Sequence, residues 1–153
     1  MTFTHPTIDT VLEQFLGLHL AGKTGLARRR IEETALLLRD CLETEAHRVL
    51  VTRDLRLLAA EREFDPVGAV CRVGHADDLV FTLAVFLEPR WLPGDPVQRA
   101  VHLRFADALA AFILERRLID AYEMACVVMD VQAGINRAKA ALRAARAESR
   151  APR

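Results

Sequence analysis

Gly17-Leu-His-Leu-Ala-Gly22-Lys23-Thr24 spells the pattern G-x-x-x-x-G-K-[ST] with which phosphate-binding loops hold nucleotides. That chemistry needs a buried strand before the first Gly and a helix opening at the Lys, so that successive backbone N–H groups surround the phosphates. Here the intervening residues are mostly bulky and apolar. Gly17 also continues a run, Ile8, Val11, Leu12, Phe15 and Leu16, whose spacing is helical. Gly17 is therefore expected inside a helix, Gly22 and Gly25 at its end, and Lys23 in solvent. Cys126-Val-Val-Met-Asp130 imitates a magnesium-binding strand ending in Asp, but it lies between Tyr122 and Ile135 in a helical pattern. Neither nucleotide binding nor hydrolysis is expected.

Cys71, His75, Asp77 and Asp78 are the nearest approach to a metal-ligand set. Zinc takes four convergent ligands, usually from two paired motifs, and no second pair is present. The better use of His75 and the two aspartates is to cap a helix, where carboxylates meet the positive end of its dipole. No His follows a Glu at the three-residue spacing of di-iron bundles, and H-E-x-x-H and G-x-S-x-G are both missing. His19, His47 and His102 stand alone on helical segments and are expected to pack at interfaces. No enzyme activity, cofactor or metal is expected.

The elements that must position any site are helices. Apolar residues recur at i, i+3, i+4 and i+7 through most of the chain, and no stretch alternates as a strand does. At 153 residues, with 52% hydrophobic and 27% charged residues, one all-α domain (residues 1–148) of five or six helices is expected. The spacing predicts helices over about 7–20, 27–47, 52–62, 76–88, 96–117 and 120–148, with 149–153 a disordered tail. Thr52 is the expected N-cap of the third, Asp65-Pro66 ends it, and Val67 to Val73 is too short for periodicity to assign. Phe15, Leu38, Leu83, Phe86, Phe105 and Phe112 should share the core. Leu79 to Leu87 is far shorter than the roughly 20 residues of a membrane span. With no secretory pattern at Met1 to Pro6 and three cysteines in no disulfide spacing, a cytoplasmic protein without a membrane partner is expected.

Ile8 to Glu43 reads as helix, polar loop with Gly22-Lys23-Thr24, and second helix opening with Arg28-Arg29-Arg30-Ile31 and continuing to Leu38 and Leu42. This order resembles the N-terminal core-binding (SAM-like) domain of tyrosine recombinases. Val97 to Phe105, then Leu109, Phe112 and Glu115-Arg-Arg-Leu118-Ile119-Asp120, are similar to the closing helix of that domain and its Glu-x-Gly-Leu-Ile ending. The likeness covers 8–63 and 97–120. Residues 64–95 form an insertion, Arg117 replaces the usual Gly, and the catalytic Arg, His and Tyr set has no counterpart. The resemblance implies a stand-alone relative of a DNA-clamping helical domain, without recombinase activity.

Charge is the remaining signal. The formal net charge is zero, yet Val131 to Arg153 carries six basic residues against the single Glu148, leaving the first 130 residues acidic. Lys139, Arg143, Arg146, Arg150 and Arg153 are spaced by four, three, four and three, which places them along one helical face. Together with Lys23, Arg28, Arg29 and Arg30 they are the candidate contacts to duplex DNA, weak and largely indifferent to sequence. The alternative is a protein-interaction or oligomerising helical adaptor, binding itself or another protein through helix faces.

Overall fold

The structure, a computed structural model, describes residues 5–152. Seven α-helices follow one another: α1 Ile8–His19, α2 Gly25–Val49, α3 Thr52–Phe64, α4 Ala69–Val73, α5 Ala76–Phe86, α6 Pro96–Glu115 and α7 Ala125–Arg150, with a 3-10 turn at Pro89–Trp91. Apart from one bridge between Thr7 and His75, no extended pairing occurs among the described residues. The apolar α5 is central, packed against α1, α2, α6 and α7, while α3 lies at the edge, chiefly on α4. No helix among the described residues is long and apolar enough to cross a membrane.

The additional helix is α4, whose five residues bury Ala69, Val70 and Cys71. Thr52 is the first helical residue and not the cap, since Val51 holds the N-cap position without a side-chain bond. The last helix starts at Ala125, five residues later than the periodicity suggests. Asp120 is the reason: its Oδ1 accepts from the backbone N–H of Tyr122 (2.9 Å) and Glu123 (3.2 Å), closing a turn that competes with the helix. At the other end α7 continues through Ser149 and Arg150 instead of giving way to a disordered tail. Arg153 lies outside the described residues.

All six expected core residues are buried in one cluster. Phe15 meets Phe105 edge-on at 5.3 Å and Phe112 at 5.7 Å, tying α1 to α6. His102 is fully buried, stacked on Phe86 at 3.8 Å, and its Nε2 lies 2.9 Å from the Phe86 carbonyl. Only an N–H can bond a carbonyl, so Nε2 carries the proton and Nδ1 is left without a protein partner. Burial pushes its pKa down to about 4, against the Phe86 bond, with Arg99 adding to the depression. The unfolded chain thus takes up this proton more readily. Stability should be complete above pH 6.5 and fall by about 3 kcal/mol as pH drops towards 4. Urea unfolding midpoints across that window will show this loss, and His102→Gln should remove most of it. His47, in contrast, is exposed on α2 and packs no interface.

A buried carboxylate anchors the far end of α2. Glu45 is 1% exposed, and its oxygens accept from Trp91 Nε1 (3.2 Å), Arg90 (2.9 Å) and Arg48 (3.2 Å), while Arg48 also grips Glu88 with two bonds. Burial alone would raise its pKa; the Trp91 and Arg48 bonds and the two guanidinium charges outweigh that and hold it below the usual carboxylate range.

Helix α6 ends in a Schellman motif, with Leu118 N–H bonded to the Ile113 carbonyl and Arg117 N–H to that of Leu114 (both 3.1 Å). The motif demands a left-handed residue at 117, and Arg117 adopts φ +52°. Arg117→Gly should therefore stabilise the protein by about 1 kcal/mol, raising Tm by roughly 3 °C in a thermal melt.

Candidate functional site

Gly17 lies within α1, and the chain reverses after it through Gly22 (φ +75°) and Gly25 (φ +58°). No strand precedes the turn, and the exposed Lys23 stands outside any ring of backbone N–H groups. Cys126 to Asp130 is helical, the opening of α7. The acidic set beside Cys71 is occupied in local structure: Asp78 Oδ2 accepts from the His75 N–H (2.9 Å), and Asp77 sits in the first turn of α5. Cys71 receives a bond from Arg39 at 3.6 Å, and burial pushes its thiol up to about 11. Among the described residues no group of three or more His, Cys, Asp or Glu is arranged to hold a metal ion.

The basic residues are distributed by helix geometry. Arg28, Arg29 and Arg30 are consecutive on α2, so each points about 100° from the last. Arg28 turns towards the end of α1 and pairs with Glu32 at 2.8 Å. Arg29 is exposed and makes no ion pair among the described residues. Arg30 faces α6, where it pairs with Asp95 at 3.3 Å. This junction is fixed by Gln98, whose Nε2 donates to the Arg30 carbonyl (2.9 Å) and to Thr34 Oγ1 (3.0 Å). Asp95 in turn caps α6 by accepting from the Gln98 N–H.

Docked in this way, α2 and α6 leave a groove of about 400 Å³ that Lys23, Arg30 and Arg104 line with the apolar Leu26 and Val97. No carboxylate is among its lining residues. His19 closes one side, stacked on Phe15 at 4.9 Å; burial, and then the Lys23 charge, hold its pKa below 6.5, so at neutral pH it contributes a wall and no charge. The groove's cations can accept an anion without first displacing a carboxylate, except at Arg30.

Lys139 reaches Asp107 across the α6–α7 contact at 3.7 Å, and Asp107 is one turn from Arg104 on α6. Core positions Val131, Ile135, Ala138 and Leu142 fix the rotation of α7 and leave the C-terminal stripe beside them, with Lys139 part-buried and its later members exposed. Beyond Leu142 every described residue is exposed, and Arg143, Arg146 and Arg150 have no ion pair among the described residues. Lys23, Arg30 and Arg104 thus share one groove, and Lys139 meets α6 at Asp107, one turn from Arg104, while Arg143, Arg146 and Arg150 follow on the exposed end of α7. Arg104 joins this set only in three dimensions; in sequence it is one exposed position between the buried Val101 and Phe105.

No family model matches the chain, and neither the curated proteins nor the solved structures provide a match.

Proposed function

We propose that this helical domain is a non-enzymatic module that contacts the phosphate backbone of duplex DNA through a basic band across α6, made by the groove cations together with the C-terminal stripe, as a relative of the SAM-like core-binding domains. What supports this is the convergence of Lys23, Arg30 and Arg104 on one groove between α2 and α6, with Lys139 of the C-terminal segment held at Asp107, one turn from Arg104. Phosphates are recognised by such convergent cations, and the exposed methyl groups of Leu26 and Val97 offer van der Waals surface to deoxyribose. No side chain in the band is positioned by a network that would read a base edge, so the contact is largely indifferent to sequence. Three of the candidates are already paired internally, Arg28, Arg30 and Lys139, which makes the binding weak. Arg104→Ala should weaken low-salt binding of a labelled duplex. Arg137→Ala, which removes an exposed charge about 200° round α7 from Lys139, should leave it unchanged. Equal effects of the two substitutions would show that the band is not the site.

A further inference from the structure

Helix α3 buries a single residue, Leu58, yet its opposite face is not polar throughout. Leu57 is 50% exposed and Phe64 93%, and with the exposed Ala60 between them they are spaced by three and four residues, a continuous apolar stripe on one side of the helix. Arg56 and Glu63 flank this stripe on the same edge, seven residues apart. Neither makes an ion pair among the described residues, and two helical turns separate them too widely to pair with each other. The inward side is held separately, by Arg62 on Glu43 (3.0 Å) and Arg72 on Glu61 (2.7 Å).

This arrangement is complementary to itself. We infer that α3 is a homodimerisation face on which a second copy of this chain lays its own α3 antiparallel, about a twofold axis passing near Ala60. In that register Leu57 and Phe64 of the two copies close over the small Ala60, where the helices approach most closely. Arg56 of each copy comes opposite Glu63 of the other, so the charges left unpaired in the monomer form two ion pairs across the dimer. A twofold contact requires one patch to match itself, and an edge that is basic at one end and acidic at the other does so only in the antiparallel sense. A helix of 13 residues offers about 20 Å of contact, less than a standard interface, so the dimer is weak and dependent on concentration. The surface shares no residue with the basic band, and the inference is independent of DNA binding.

Sedimentation equilibrium over a wide concentration range tests it, with far-UV circular dichroism to verify that each variant is folded; all the substituted positions are exposed. The parent chain should self-associate reversibly to a dimer. Arg56→Glu alone and Glu63→Arg alone should each weaken association by about tenfold or more, since two repulsive pairs replace two attractive ones. Mixing the two variants should restore a heterodimer, as should combining both substitutions in one chain. Leu57→Asp should abolish association in any combination. A parent that stays monomeric, a dimer indifferent to the charge reversals, or singles whose mixture remains monomeric would each overturn the inference.

Discussion

Phe105→Ala is expected to cost about 3–5 kcal/mol, enough to lower Tm by on the order of 10 °C. Phe105 is fully buried, and its ring meets Phe15 at 5.3 Å and His19 at 5.9 Å, so its removal empties the centre of the contact between α1 and α6. The cost comprises the lost transfer energy of the ring and the cavity left behind, which fixed helices on either side cannot collapse to fill. Chemical denaturation of the variant measures it directly. A variant as stable as the parent would mean that α1 does not dock on α6 in this way. The same contact carries His19 and Lys23 to the groove, so the substitution should also weaken any ligand held there.

Much of the fold is legible in the sequence because the helices are amphipathic, and their buried stripes are those that the 3.6-residue period marks. Val101, Phe105 and Phe112 are buried along α6 as their spacing requires, whereas Val97, one turn earlier in the same stripe, stays half exposed, and Pro93-Gly94-Asp95-Pro96 forms the turn with Pro96 at the first helical position. What periodicity could not show has physical causes. The five residues of α4 are too few to display a period. The start of α7 was hidden because Asp120 diverts the backbone into a turn, a side-chain effect that apolar spacing does not encode. Glu45 looks like an ordinary surface residue of α2 until Trp91, 46 positions away, closes over it.

The candidate site was legible in its parts and not in its assembly. The spacing of Lys139, Arg143, Arg146 and Arg150 is sufficient to place them on one face. The three consecutive arginines looked like one cluster, whereas the rotation of a helix sends Arg28, Arg29 and Arg30 in three directions. Arg104 gave no local signal, because its role depends on the docking of α6 against α2 and α7, which is a long-range property of the core.

The central claim is that the band across α6 binds DNA by charge, and the salt dependence of duplex binding tests it most directly. Each neutralised phosphate releases condensed counterions, so log affinity should fall linearly with log salt at a slope of about −0.9 per contact. With Lys23, Arg104, Arg143, Arg146 and Arg150 engaged, all unpaired among the described residues, the slope should be about −4.5. Replacing Arg143 and Arg146 together with Ala should make it shallower by about two units and weaken binding on the order of fiftyfold at about 0.1 M salt, equally for unrelated sequences. That result would establish the band as a phosphate-contacting surface. Absence of duplex binding at low salt, or a slope unchanged in the double variant, would contradict the account.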